Sequence, residues 1–205
     1  MTVAGMLCTH RMLCCNLKRD DLGGAHAIMS DESENQRQGN VGIRLATASD
    51  ATMLARLRYA FRSTTGQVHE DDKSFVQRCT PWMQERLERP SHWRCWIAER
   101  GDIPVGNLWA QLIEKVPNPI SESEYHAYLT NFYVREDCRG HGIGPLLLSA
   151  ALAWIQANDV HAVILWPTER SRSFYQRHGF SVREDLMEMV MASRSKTPSN
   201  VERGA

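Results

Sequence analysis

One stretch near the middle of the chain constrains the fold more than any other. Residues 128–134 are apolar and β-rich, residues 139–144 form a glycine-rich loop with a basic residue at its start, and a long apolar segment follows to Asn158. This order predicts a strand, a tight loop and a helix. Glycines let backbone N–H groups approach an anion, and the amino end of a helix adds partial positive charge. The sequence therefore predicts a phosphate-binding loop, in which Arg139 offers a planar set of donors to pyrophosphate oxygens.

The composition limits what the rest of the chain can be. With 205 residues, 42% of them apolar, it can form one domain with a core and an appendage. Lys plus Arg and Asp plus Glu are equal at 24 each, so the net charge does not indicate nucleic acid as a partner. No apolar run approaches the roughly 20 residues that span a bilayer, and no membrane association is expected. We predict a cytoplasmic protein, either a monomer or a homodimer.

The cysteines do not suggest a disulfide framework or a metal site. None of the six forms a C-x-x-C pair, and none has a histidine at zinc-finger spacing. The sequence favours reduced thiols over disulfides, and no metal is predicted.

The two ends of the chain are predicted to be disordered. Residues 1–40 show no sustained period and end in a polar segment, and residues 193–205 form a polar tail. We hypothesise that translation starts at Met29 and that residues 1–28 are not functional; the intact mass of the natively expressed protein would decide this. The folded domain is predicted over residues 41–192.

Hydrophobic periodicity predicts the elements on both sides of the loop. Before the loop we expect a strand (41–46), two helices (50–66 and 73–89), a hairpin (93–99 with 103–113) and a long loop (115–124). After the loop we expect a helix with Pro145 in its first turn (143–158), a buried strand (162–166), a short helix (169–178) and two last strands (180–182 and 186–191). The buried apolar run favours parallel pairing of the 128–134 and 162–166 strands.

A dinucleotide-binding fingerprint is the main alternative for a strand, a glycine loop and a helix. That fingerprint needs G-x-G-x-x-G early in the chain and an acidic residue about 20 positions later. Here Pro145 stands where the third glycine should fall, and the loop comes late in the sequence. Asp159 has suitable spacing but ends a helix rather than a strand. The dinucleotide interpretation is therefore disfavoured.

At these residues the chain resembles the GNAT superfamily of acetyl-CoA-dependent N-acetyltransferases. The family's central motif, Arg/Gln-x-x-Gly-x-Gly/Ala between a strand and a helix, is matched by the glycine-rich loop. A second family motif is Asn-x-x-Ala-x-x-Leu-Tyr-x-x-x-Gly-Phe. The chain matches it at Tyr175, Gly179 and Phe180, and departs from it at Thr168 and Ser171. The resemblance extends over residues 41–192 in the order of the elements.

The resemblance implies an α/β (α+β) fold, with a mixed, mostly antiparallel sheet that contains a parallel, splayed strand pair and is flanked by helices. The splayed strands would admit the pantetheine arm of acetyl-CoA, with no metal involved. The residues implied in binding acetyl-CoA lie on the central strand, on the loop and at the second motif: Phe132, Tyr133, Val134, Arg139, Gly140, His141, Gly142, Ile143, Gly144 and Thr168.

The implied chemistry is direct attack of a neutral amine on the thioester. Tyr175 is the candidate general acid for the departing thiolate, because a phenol, with an ordinary pKa of about 10, is protonated at neutral pH and can donate to it. For the general base we list Glu114 and His126; Glu124 or a water relay would serve equally, and no motif selects among them.

The acceptor stays open at this point. A small-molecule amine, a polyamine, an aminoglycoside-like drug and a peptide amine all fit, and Trp82 and Trp109 are candidates for lining an acceptor pocket. The alternative function is a non-catalytic acyl-CoA-binding module of the same fold.

Overall fold

A computed structural model describes residues 40–66, 68–88 and 91–189. The predicted tail, residues 1–39 of the predicted extension and the hypothesised start at Met29 lie outside these residues. The chain divides into two compact units, one extending to Leu165 and one beginning at Trp166.

The first unit is built on a five-stranded sheet. The strands are β1 (Val41–Leu45), β2 (Trp93–Arg100), β3 (Ile103–Glu114), β4 (Tyr125–Val134) and β5 (Val160–Ile164). They lie side by side in chain order. The first four pair antiparallel, whereas β4 and β5 pair parallel. This mixed, mostly antiparallel sheet confirms the predicted fold class.

Helices cover both faces of the sheet. They are α1 (Ala51–Ser63), α2 (Asp72–Glu88) and α3 (Ile143–Gln156). Leu54 of α1 and Met83 of α2 belong to one buried cluster with Ile97 of β2. The neighbour of Ile97, Trp96, points to the opposite face because side chains alternate along a strand, and its ring lies 5.7 Å from that of Trp154 in α3. The sheet is therefore sandwiched between α1 and α2 on one side and α3 on the other.

The second unit contains one helix, α4 (Glu169–Arg177), among its described residues. The two strands predicted after it are wrong as far as residue 189: residues 180–189 form no strand. Leu186, Met187 and Met189 are exposed there. A β-rich composition yields a strand only where another strand pairs with it, and no described strand pairs with this segment.

The helix predicted near residues 73–89 continues past Pro81 as the single helix α2. A proline inside a helix removes one backbone hydrogen bond. Met83, two residues later, is buried in the core cluster, so tertiary packing favours continuing the helix despite that local cost.

Arg44 connects β1 to the start of α1 and to β2. Its guanidinium donates hydrogen bonds to Asp50 at 2.8 and 2.9 Å and to Oε1 of Glu99 at 2.7 and 2.9 Å. The hydrogen bonds from Arg44 are the main reason that the pKa of Asp50 falls from 3.8 to about 2.

We expect Asp50→Asn to lower the free energy of unfolding by about 1 kcal/mol at pH 7, a value reduced for the partial exposure of Arg44. The folded-state pKa lies below the unfolded one, so this stabilisation is complete above about pH 5 and is lost as the pH falls towards 2. Urea unfolding of both proteins at pH 7 and near pH 2 measures the difference in free energy of unfolding. Asp102→Asn, which changes an exposed residue in a turn, is the control. A destabilisation that is unchanged at low pH would contradict this account.

Candidate functional site

The glycine-rich loop joins β4 to α3 and has the backbone that its sequence predicts. Gly140 and Gly142 have φ values of +81° and +77°, in the left-handed region that glycine tolerates best. Gly142 is also the residue that caps α3. A Cβ atom built on either glycine would have no other heavy atom within 4 Å. The space beside both glycines is therefore open to a ligand.

The amino end of α3 is free of local negative charge. Its first turn contains no acidic residue, and no side chain among the described residues caps it. The partial positive charge at a helix amino end is normally satisfied by a capping side chain, by water or by an anion. Together with the open loop, this end of α3 fits a phosphate group.

Arg139 is held against the strand rather than extended from the loop. Its Nε donates to the carbonyl of Val134 at 3.0 Å, and Nη1 donates to Glu136 at 2.8 Å. Nδ1 of His141 lies 3.3 Å from the carbonyl of Cys138. The side chain of Arg139 therefore fixes the loop to the end of β4. Of its three nitrogens, Nη2 is the one with which it could make the predicted contact with pyrophosphate.

The pairing between β3 and β4 is interrupted near the middle of β4. Asn107 pairs with Tyr133, whereas Trp109 pairs with Thr130, so β4 contains one residue more than β3 over this interval. An extra residue in one strand is a β-bulge, which bends that strand. Asn131 lies in this interval with φ of +49°, which is uncommon for a residue other than glycine.

Two side chains from other elements hold the bulge. Nδ2 of Asn107 in β3 donates to the carbonyl of Asn131 at 2.8 Å, and Nη1 of Arg58 in α1 donates to Oδ1 of Asn131 at 3.2 Å. The left-handed backbone at Asn131 is therefore stabilised by long-range contacts.

β4 and β5 pair over only part of their length. The register runs from Tyr125 opposite Val160 to Tyr128 opposite Ile164. β4 continues to Val134, and no described strand pairs with that last part on the β5 side. The residues predicted to meet the pantetheine arm, Phe132, Tyr133 and Val134, lie in this last part of β4.

A cavity of about 440 Å³ lies between α1, α2 and strands β2 to β4. That volume falls within the range of small-molecule sites. Its walls are largely aromatic, from Phe75, Trp82, Trp93, Trp109 and Tyr128. Asn131 lines the same cavity, so the bulge of β4 forms part of its wall. The two tryptophans predicted as pocket residues, Trp82 and Trp109, both line it.

The two candidate bases lie on opposite sides of the sheet. Trp109 faces α1 and α2, and the alternation along β3 turns Glu114, five residues later, to the other face. His126 precedes Tyr128 by two residues and shares the face of the cavity. Burial, followed by the nearby charges of Lys115 and His161, lowers the pKa of His126. The structure thus brings His126, but not Glu114, to the cavity side.

The second unit shows why its motif has the spacing it does. Gly179, with φ of +87°, follows α4 and turns the chain so that the ring of Phe180 lies 5.5 Å from that of Tyr175. Tyr175 is buried, and burial raises its pKa to about 12. Thr168 is the N-cap residue just before α4, and its hydroxyl lies 2.9 Å from that of Ser171. The catalytic role of Tyr175 stays a prediction.

Comparison with known proteins identifies the family. Residues 56–180 match the model of the acetyltransferase (GNAT) family. The chain belongs to the GNAT family. A probable N-acetyltransferase of Mycobacterium tuberculosis is 27% identical over 154 residues, which cover 71% of this chain and 83% of the relative. The protein is therefore an acetyltransferase, and acetyl-CoA is its acetyl donor.

Solved acetyltransferase structures share the fold. A predicted acetyltransferase of Clostridium acetobutylicum with acetyl-CoA has a TM-score of 0.64 at 22% identity, covering 74% of this chain and 96% of that one. An aminoglycoside acetyltransferase from an uncultured soil metagenomic sample, in complex with sisomicin, has a TM-score of 0.57 at 14% identity, covering 75% and 97%. None of the described helices is long and apolar enough to cross a membrane.

Three residues of the site were missed by sequence reasoning: Arg58, Tyr128 and Asn131. None belongs to a motif. For Arg58 one signal existed, because it lies four residues after the buried Leu54 and so on the same side of α1. A charged residue on the apolar side of a helix is unusual enough to suggest a function.

Proposed function

We propose that this GNAT protein transfers the acetyl group of acetyl-CoA to the primary amine of a small molecule by direct attack. The observation that carries the proposal is the position of the bulge. Asn131 lines the aromatic cavity and immediately precedes residues 132–134, in the part of β4 that does not pair with β5. An amine in the cavity would therefore stand beside the strand edge that we assign to the thioester.

The residues present fit acetyl-CoA. The open space beside Gly140 and Gly142 and the uncapped end of α3 suit its pyrophosphate. The last part of β4, which has no described strand beside it on the β5 side, suits the extended pantetheine arm. When bound, acetyl-CoA supplies a thioester, which is an activated acetyl group.

The chain's own residues would then position and move protons. A backbone N–H among residues 132–134 would donate to the carbonyl oxygen, as an oxyanion hole does. The Tyr175 hydroxyl, whose raised pKa keeps it protonated, would return a proton to sulfur. Water would accept the amine proton, because about 20 Å of strand separates His126 from residue 132, which is beyond the reach of one bridging water.

We expect CoA release that depends on an added amine. A thiol reagent detects the free CoA when the protein is mixed with acetyl-CoA and a panel of amines. Acetyl-CoA binding without amine-dependent release would favour the non-catalytic binding module instead. Cytoplasmic localisation and a monomeric or homodimeric state stay predictions.

We expect Gly106→Ala to weaken both the fold and acetyl-CoA binding. A Cβ atom at Gly106 would lie 2.8 Å from the carbonyl oxygen of Tyr133, so β3 and β4 must move apart beside residues 132–134. The expected loss in free energy of unfolding is about 1–3 kcal/mol, measured by urea unfolding. The affinity for acetyl-CoA, measured by titration, should also fall. Gly42→Ala in β1, where a Cβ meets nothing within 4 Å, is the control. Equal behaviour of the two variants would contradict the close approach.

A further inference from the structure

The charges that line the aromatic cavity are all positive. Arg58 and Arg78 line it, and none of the described residues that line it is Asp or Glu. Arg78 already has a partner, because it donates to Glu70 at 2.6 Å. Glu70 belongs to the wall of a neighbouring cavity. The cavity therefore offers a cation with no carboxylate inside it.

Arg58 is the cation that has no acidic partner. It is half-buried, its Nη1 donates to the amide of Asn131, and its guanidinium lies 5.7 Å from the centre of the Phe61 ring. Among the described residues no carboxylate oxygen lies within 4 Å of it. A partly buried arginine usually pairs with an anion, because leaving its charge unpaired is costly. A bound anion would complete this pairing.

The tryptophans opposite form a surface for a flat apolar group. The rings of Trp82, Trp93 and Trp109 lie 5.4 to 6.1 Å apart. Trp109 is only 2% exposed, and its indole N–H is buried without a hydrogen-bond acceptor among the described residues. A buried indole N–H normally has a partner. The cavity thus combines aromatic walls, a free N–H donor and an unpaired guanidinium.

We propose, on the basis of the proposed function, that the acceptor is a small primary amine that carries an aromatic ring and a carboxylate. The ring would lie against the tryptophans, the carboxylate would pair with Arg58, and the amine would face the open edge of β4 beyond Asn131. In the reaction, the N–C bond to the acetyl group forms and the C–S bond of the thioester breaks. The amine loses one proton and the thiolate gains one, giving an amide and free CoA.

A polycationic acceptor does not suit this cavity. Aminoglycosides and polyamines carry several ammonium groups, which need acidic residues around them. Arg58, which has no carboxylate beside it among the described residues, would repel such groups instead. The resemblance to an aminoglycoside acetyltransferase extends to the fold alone at 14% identity, and the charges in the cavity decide against that class of acceptor.

Binding of matched ligands to the full-length protein with bound CoA tests the charge of the acceptor. The probes are L-phenylalanine, its neutral partner L-phenylalaninamide and the polycation spermidine, titrated by calorimetry. We expect L-phenylalanine to bind about tenfold or more tightly than L-phenylalaninamide, as a charge-assisted pair would give. Equal or weaker binding of L-phenylalanine, or tighter binding of spermidine, would overturn the inference whether or not any amine is acetylated.

A pair of variants assigns the effect to one residue. Arg58→Gln should remove the preference for the carboxylate, and Arg58→Lys should restore part of it. Arg56→Gln, an exposed arginine on the same helix, should leave the preference unchanged. An Arg58→Gln protein that keeps the preference would refute the role of Arg58. If acetyl-CoA binds but no amine is acetylated, the proposed function fails, while the binding preference still decides the inference.

Discussion

Gly142→Glu should lower the affinity for acetyl-CoA by about 100-fold or more while the protein remains folded. Gly142 caps α3 with a left-handed φ, and the space beside it is open. A glutamate there would fill the space that we assign to pyrophosphate and would bring a like charge to it. Loss of two charge-assisted hydrogen bonds, each about 1.5–3 kcal/mol, accounts for the size of the effect. Calorimetric titration with acetyl-CoA measures it.

The strain of a side chain in a left-handed backbone needs its own control. Gly101 lies in the turn between β2 and β3 with φ of +61°, and a Cβ there also meets nothing within 4 Å. Gly101→Glu therefore adds the same charge and similar strain, about 1–2 kcal/mol, far along the chain from the loop. Its affinity for acetyl-CoA should match that of the wild type. Normal affinity in Gly142→Glu would refute the assignment of the loop.

Tyr175→Phe should lower kcat by about 100-fold or more, with little change in the affinity for acetyl-CoA. The substitution removes one hydroxyl and keeps the ring that lies near Phe174 and Phe180. Only the return of the proton to sulfur should suffer. Steady-state kinetics and calorimetry separate the two quantities, and Tyr125→Phe, at the start of β4, is the control. An unaltered kcat would remove Tyr175 from the mechanism.

The pH dependence gives an independent reading of Tyr175. Burial raises its pKa to about 12, so the hydroxyl stays protonated and able to donate at ordinary assay pH. We therefore expect no decline of kcat from Tyr175 below about pH 11. A decline near pH 10 that disappears in Tyr175→Phe would show that the phenol has its ordinary pKa and is not buried during turnover.

The parts of the site that follow local rules could be predicted from the sequence. The glycine spacing determines the left-handed residues at Gly140 and Gly142, and the apolar period determines α3. A continuous apolar run predicted a strand at 162–166, buried on both faces. The observed β5 begins two residues earlier, at Val160, and His161 in it is exposed. The same run favoured parallel pairing with β4, which the structure confirms, and the family resemblance supplied the role of the gap between the two strands.

The rest depends on contacts that no local pattern contains. The bulge at Asn131 is held by Asn107 and by Arg58, which lie 24 and 73 positions away. Which of Glu114 and His126 lies on the cavity side depends on the face of the sheet that each side chain occupies. This face follows from the pairing register of β3 and β4. The last two strands failed for a related reason, since pairing, rather than composition, makes a strand.

The central claim is that this chain acetylates an amine with acetyl-CoA bound along β4 and the glycine loop. Mass spectrometry of the amine after incubation with isotopically labelled acetyl-CoA tests it most directly, because release of CoA alone cannot distinguish transfer from hydrolysis. We predict one labelled acetyl group on the amine with the wild type, and far less labelled amine with Gly142→Glu when acetyl-CoA is kept near the wild-type Kd. Labelled free acetate with every amine unmodified, at saturating acetyl-CoA, would contradict the account.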